Sequence, residues 1–167
     1  MKFKILGELV IERGGQAVDL GSPKLRLLLA VLLCRPGQAV PMPELIDAIG
    51  DDHPPVSARE NLRHYVHQLR KILGRDAVVR RGATYSLAID GQAVDAWQFA
   101  DRVRQAEDAL TAAEPDVARR LFREGLALWR GRPFDGLHDE LVVDEIDDLV
   151  ARAPDQPQAQ DGAVGRE

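Results

Sequence analysis

Residues 57–73 read SARENLRHYVHQLRKIL, and this stretch decides the fold that the sequence predicts. Ser57, followed three residues later by Glu60, has the form of a capping box, in which each side chain bonds the backbone N–H of the other residue. Gly74 then supplies a stop signal. The pattern predicts a long helix that starts at the Ser57 cap and ends before Gly74.

The two faces of this predicted helix differ in chemistry. At about 100° per residue, one face collects the apolar side chains, which are Ala58, Leu62, Tyr65, Val66, Leu69, Ile72 and Leu73. The other face carries Arg59, Glu60, Arg63, His64, His67, Arg70 and Lys71. Residues 59–81 hold seven Lys and Arg against two acids, a local net charge of +5 in a chain whose net charge is −5. Such a basic excess suits a polyanion.

The segments before residue 57 predict a small sheet and two helices. Short β-type runs up to Leu20 indicate the sheet. Ser22-Pro23, a cap residue followed by proline at the first helical position, opens a buried helix that ends at Arg35-Pro36-Gly37. A shorter helix begins at Pro43 and stops before a loop that contains Pro54-Pro55.

The segment after Gly74 predicts a β-hairpin. Two β-type runs, residues 77–81 and 84–89, flank Gly82-Ala83. Strands, three helices with the third one basic, and a hairpin follow each other in the order of a winged helix-turn-helix. The predicted fold class is therefore an α+β winged helix-turn-helix domain.

This arrangement predicts DNA reading. A helix fits the major groove, where Arg donates two hydrogen bonds to guanine, and a wing arginine reaches phosphate or the minor groove. The predicted contacts on the reading helix are Arg59, Asn61, Arg63, His64, His67, Arg70 and Lys71, and those on the wing are Arg80, Arg81 and Thr84. A basic face that only aids solubility is the alternative for the helix taken alone, but the helix before it and the hairpin after it favour DNA.

The chain after Gly91 has another character. Residues 1–90 have a net charge of +3 and residues 91–167 a net charge of −8. Helical spacing predicts one helix from Trp97 to Leu110, a second from Val117 to Trp129 that ends at Gly131-Arg132-Pro133, and a third, acidic stretch from Asp139 to Val150. The predicted domains are thus a winged helix (1–91), a small all-α unit (92–153) and a disordered tail (154–167).

Several classes of protein do not fit the sequence. No apolar run approaches the length of a membrane helix, so we expect a cytoplasmic, nucleoid-associated protein without membrane contact. His64 and His67 lack a third ligand at a suitable spacing, and the acidic cluster after residue 139 lacks the pattern of a Ca²⁺ loop. With no phosphate loop and no nucleophile motif, we expect no metal, no cofactor and no enzyme activity.

The residues resemble a known family, the Streptomyces antibiotic regulatory protein (SARP) transcriptional activators. The stretches that carry the resemblance are Leu6-Gly7, residues 29–33, residues 54–58, Asn61-Leu62, Tyr65-Val66, Leu69-Arg70, Tyr85-Ser86-Leu87, Val94-Asp95 with Phe99, and residues 128–133. The resemblance implies an OmpR-type winged helix followed by a tetratricopeptide-like bacterial transcriptional activator domain. It also implies a pathway-specific regulator of secondary metabolism, such as antibiotic biosynthesis, that binds promoter direct repeats as a head-to-tail dimer and contacts RNA polymerase and its sigma factor.

The chain departs from the family pattern at several positions. Thr84 stands where a wing glycine is usual, Ser86 where an arginine is frequent, and Ile49 where a tryptophan is usual. Arg63 replaces a frequent glutamine, and Gln68 a frequent arginine, so the DNA site cannot be taken over from relatives. The helical unit is also shorter than in the family. The alternative functions are therefore a short DNA-binding competitor of longer regulators, or a winged helix used for protein contact.

Overall fold

The structure, a computed structural model, describes residues 1–35, 37–50 and 55–137, and its elements follow the predicted order. The strands are β1 (Lys2–Lys4), β2 (Val10–Arg13), β3 (Gln16–Val18), β4 (Val40–Pro41), β5 (Val78–Arg81) and β6 (Thr84–Leu87). The helices are α1 (Pro23–Cys34), α2 (Met42–Ala48), α3 (Pro55–Leu73), α4 (Asp95–Thr111) and α5 (Pro115–Leu126). A single 3₁₀ turn, Gly91–Ala93, leads into α4.

The first half of the chain contains two small antiparallel sheets. The first has the order β1-β2-β3, with Phe3 opposite Ile11 and Ile11 opposite Val18. On its surface, a hydrogen bond from Lys4 holds the pKa of the Glu12 carboxyl below its ordinary value. The second sheet has the order β4-β6-β5, so that the predicted hairpin gains β4 as a third strand. This hairpin is the wing.

The predicted burial of α1 and the predicted amphipathic faces of α3 are confirmed. α1 buries nearly all of its apolar residues in the main core, where the helix contacts α2, α3 and β6. On α3, Ala58, Leu62, Val66 and Leu69 are buried, while the remaining apolar side chains of the predicted face are half-buried. The chain therefore buries one side of α3 and leaves the basic side toward solvent.

Two predicted helix ends are wrong. α3 begins at Pro55 rather than after a Ser57 cap, so Ser57 is a residue within the helix and the capping box does not set the start. A proline fits the first turn of a helix because its φ is already helical and its missing N–H has no partner to lose there. The second wrong end is the C-terminal end of α5. This helix stops at Leu126, so Trp129 lies outside it.

The helical hairpin of α4 and α5 packs on the winged helix. Ala106, Ala109 and Ala118 form a small cluster of their own where the two helices meet. Phe99 and Phe134 belong instead to the main core, together with residues of β1 and α1. The described core is thus continuous across the predicted boundary at residue 91. The predicted third helical stretch (139–150) and the predicted tail (154–167) lie outside the described residues, and both the domain division and the tetratricopeptide-like character stay predictions.

Candidate nucleic-acid interface

The exposed side of α3 carries a line of polar and basic side chains. Arg59, Arg63, His67 and Lys71 are all exposed and follow each other at intervals of four residues. On a helix of 3.6 residues per turn, this interval keeps side chains on one strip of the surface. We call these four residues the α3 strip. The predicted major-groove contacts are therefore brought together along one side of the helix.

Two further residues of the predicted set border the α3 strip. His64 is exposed, and its Nε2 lies 2.6 Å from Nε2 of Gln68 one turn later, so the Gln68 amide donates when that ring nitrogen is unprotonated. The His64 ring also meets Tyr65 edge to face, with 6.1 Å between the centroids. Asn61 is half-buried. Both stay predicted DNA contacts.

Arg70 differs from the other predicted reading-helix residues. Its side chain is half-buried and points at the wing: Nε and Nη2 donate to the backbone oxygen of Val78 at 2.9 and 2.7 Å. A second arginine, Arg13 at the end of β2, donates to the backbone oxygen of Ile72 in the last turn of α3. The sequence offered no signal for Arg13, because the contact joins residues 59 positions apart.

The wing tip presents its two arginines to solvent. Arg80 and Arg81 are both exposed, and Arg81 lies opposite Thr84 across a two-residue turn. Gly82 takes the left-handed conformation (φ +59°) that the turn needs. The Thr84 hydroxyl donates to the Arg81 oxygen at 2.9 Å, and Arg80 Nε donates to the Gly82 oxygen at 3.0 Å. Thr84, where the family often has glycine, therefore closes the turn with its side chain.

A second constellation joins the winged helix to the helical hairpin. Asp95 is buried at the start of α4, where Oδ1 accepts from the Ile5 N–H at 2.8 Å. Its Oδ2 accepts from the Leu6 N–H at 3.2 Å and from Arg130 Nη2 at 3.3 Å. We call Ile5, Leu6, Asp95 and Arg130 the seam. Leu6, Asp95 and Arg130 belong to stretches that carry the family resemblance, but the sequence gave no sign that they meet.

The chain after α5 also makes backbone hydrogen bonds to residues of the seam. The Arg130 N–H donates to the Leu6 oxygen at 2.8 Å, and the Phe134 N–H donates to the Ile5 oxygen at 3.0 Å. Gly7, at φ +142°, has no side chain to obstruct this approach, since a Cβ there would lie 3.0 Å from the Cβ of Arg130. Residues 130–134 therefore lie along the chain that follows β1.

A metal-binding cluster and a membrane-spanning helix are both absent from the described residues. Among them, no group of three or more His, Cys, Asp and Glu side chains is placed to hold a metal ion. No helix in the described part is long and apolar enough to cross a membrane.

Comparisons with known proteins support the family resemblance of the sequence. A profile of the bacterial transcriptional activator domain matches residues 94–155. The regulatory protein AfsR of Streptomyces griseus is 37% identical over 131 residues, which are 78% of this chain and 13% of AfsR. The regulatory protein DnrI of Streptomyces peucetius is 30% identical over 149 residues, covering 83% of this chain and 55% of DnrI.

A solved structure agrees with the fold. The structure of Mycobacterium tuberculosis EmbR in complex with a low affinity phosphopeptide superposes with a TM-score of 0.80 at 29% identity, over 90% of this chain and 43% of that chain. The chain thus spans between 13% and 55% of these relatives. AfsR and DnrI are described as regulatory proteins, and EmbR as a transcriptional regulatory protein. The activator-domain match and the 30–37% identity to AfsR and DnrI support the resemblance of this chain to the Streptomyces antibiotic regulatory protein family of transcriptional regulators.

Proposed function

We propose that this protein binds promoter DNA in the cytoplasm, with α3 in the major groove and the wing on the adjacent backbone, and that it activates transcription. The observation that carries the proposal is the α3 strip together with Arg80 and Arg81 at the wing tip. Both sets of side chains are exposed, and both belong to a segment with a net charge of +5.

The chemistry of the two sets of side chains suggests that they have different roles on DNA. An arginine on a helix in the major groove can donate two parallel hydrogen bonds to O6 and N7 of guanine, which distinguishes base pairs. Arginines on a hairpin tip reach phosphates, which fix position and supply salt-dependent affinity without reading sequence. We assign the first role to Arg59 and Arg63, and the second to Arg80 and Arg81.

The wider regulatory role follows the family. We propose that the protein binds direct repeats as a head-to-tail pair and contacts RNA polymerase with its sigma factor. We further propose that it controls a biosynthetic pathway of secondary metabolism. The support is the activator-domain match and the relatives' description as regulatory proteins.

The base-reading role is tested by Arg63→Ala. A footprint on the promoters that flank its gene first defines the site, and binding isotherms then compare this site with random DNA. We expect the variant to lose about 1 to 3 kcal/mol of binding free energy at the site and little on random DNA. Arg119→Ala, which removes an exposed arginine from α5, is the matched control and leaves both affinities unchanged. Equal losses on both DNAs would make Arg63 a phosphate ligand.

Two measurements separate the proposal from its alternatives. Affinity that falls steeply with salt indicates phosphate neutralisation, whereas a winged helix used for protein contact shows no salt-dependent DNA binding. Transcription with purified polymerase then distinguishes an activator, which raises transcript yield, from a competitor that only occupies the site.

A further inference from the structure

Arg70 is a predicted DNA contact whose half-buried guanidinium bonds the backbone of another element of the protein. It lies in the last turn of α3, next to exposed Lys71, but two of its three side-chain nitrogens donate to the Val78 oxygen. Hydrogen bonds from a charged donor are stronger than neutral ones, and a cation at a helix C-terminus is also favoured by the helix dipole. This geometry gives the side chain a defined partner in the absence of DNA.

The strand register explains why the Val78 oxygen is available. The Ala88 N–H donates to the Ala77 oxygen at 2.8 Å, so the next pair, Val78 with Leu87, is a pair without mutual hydrogen bonds. The carbonyl of Val78 therefore points away from β6. Because β5 is an edge strand in the sheet order β4-β6-β5, no further strand among the described residues takes this oxygen. Arg70 supplies the donors instead.

The strand that Arg70 holds is the one that carries both wing arginines. Arg81 follows Val78 by three residues, about 10 Å along the strand. A tilt of about 10° at Val78 would shift the backbone of Arg81 by about 2 Å, enough to break a hydrogen bond to a phosphate. The opposite strand, β6, is held separately, through Val40 opposite Tyr85 and through the Met42 N–H, which donates to the Ala83 oxygen at 2.9 Å.

We infer that Arg70 is a positioning residue, which sets the wing arginines relative to the α3 strip so that both contact one DNA duplex together. This inference rests on the proposed DNA binding. It replaces the expectation that Arg70 itself contacts DNA, and that expectation is the outcome that would overturn it.

A double-mutant cycle on DNA tests the inference. Arg70→Met removes the donors and keeps an unbranched side chain, and it is combined with Arg80→Ala plus Arg81→Ala. We expect Arg70→Met to lower the slope of log affinity against log salt by roughly 1 to 2, as the wing variant does. The combined variant loses little more, because the wing contacts are already lost. Lys71→Met is the matched control, since this exposed neighbour acts independently and its effect adds to that of the wing variant.

A measurement without DNA keeps the inference separate from the proposed function. ¹⁵N relaxation in the full chain reports the mobility of the Arg80, Gly82 and Thr84 amides, which we expect to rise in Arg70→Met while those of α3 stay ordered. If the wild-type chain fails to bind DNA but the wing loosens, the proposed function fails and the positioning role survives. If the wing amides are unchanged and the DNA effects are additive, Arg70 is a direct phosphate ligand and the inference is wrong.

A second variant guards against loss of the fold. If Arg70→Met abolishes the cooperative thermal transition, Arg70→Lys takes its place, because lysine keeps the charge but lacks the two-nitrogen fork that meets Val78. A positioning role predicts a looser wing and a reduced salt slope for this variant. A role as a phosphate ligand predicts wild-type values for both.

Discussion

Asp95 is the only buried charged side chain among the residues that the structure describes. A buried carboxylate is costly unless donors surround it. Here two backbone N–H groups and the Arg130 guanidinium provide them, and the carboxylate lies at the N-terminus of α4, where the helix dipole favours negative charge. One side chain thereby links β1, α4 and the segment after α5.

The first prediction concerns the stability that the protein loses when the Asp95 carboxylate is removed. Asp95→Ala leaves the N–H groups of Ile5 and Leu6 without their acceptor and Arg130 without its partner, so we expect the free energy of unfolding to fall by about 3 to 5 kcal/mol. Urea unfolding followed by tryptophan fluorescence measures it. Asp116→Ala is the matched control, because its pair with Arg119 is largely exposed and contributes about 1 kcal/mol or less. Equal losses in the two variants would show that the seam is not a stability centre.

The seam also gives a physical reason for motif pieces that lie far apart in the sequence. Leu6-Gly7, Val94-Asp95 and residues 128–133 carry the family resemblance, and the structure brings all three together. Gly7 supplies both a backbone conformation that other residues rarely adopt and the space for Arg130. These pieces therefore mark the joint between the winged helix and the helical hairpin rather than the DNA interface.

At the scale of elements, the contribution of the wing to DNA binding is tested by changing both of its arginines together. Changing Arg80 and Arg81 to alanine removes two exposed charges without touching the core, so we expect weaker binding to all DNA sequences and a salt slope lower by roughly 1 to 2. The matched control is Arg119→Ala with Arg120→Ala, another adjacent pair of exposed arginines, on α5. A slope that stays at the wild-type value in the wing variant, or that falls equally in the control, would exclude a phosphate contact by the wing.

Elements with a strong local pattern could be predicted, and elements shaped by distant contacts could not. The 3.6-residue period was sufficient for α1, α3 and α4, and the β-type runs around Gly82 were sufficient for the wing. The end of α5 was not predictable, because Trp129 continues the apolar spacing but packs edge to face on Phe99, with 5.5 Å between centroids. Its neighbour Arg130 bonds the backbone of Leu6. Similarly, the helical period was sufficient to predict the α3 strip. The contact of the Arg70 side chain with the Val78 oxygen instead depends on the register of β5 and β6.

At the scale of the whole molecule, the net negative charge of residues 91–167 is concentrated near the end of the sequence. Residues 92–137 contain seven Lys and Arg and eight Asp and Glu, a net charge of −1, so most of the net charge of −8 of residues 91–167 belongs to residues 138–167. The described helical hairpin is therefore nearly neutral. Any electrostatic attraction between neighbouring copies on repeated sites would have to come from the part of the sequence beyond the described residues.

The continuity of the core leads to a prediction about the division at residue 91. A chain ending at Gly91 would lack Val94, Phe99 and Phe134, which share a cluster with Phe3 and Ile5, and it would lack the carboxylate of Asp95. Each large apolar side chain that loses its burial costs roughly 1.5 to 3 kcal/mol, against a total stability of about 5 to 15 kcal/mol for a typical domain.

We therefore expect the chain ending at Gly91 to lose its cooperative thermal transition, although it contains the entire α3 strip and the wing. Circular dichroism melting of this chain beside the full chain measures the difference, and binding isotherms on a one-repeat site show whether recognition is lost with the fold. If the short chain melts cooperatively within a few degrees of the full chain and binds the site, the seam is a contact between two independent domains. The winged helix would then not need the helical hairpin in order to fold.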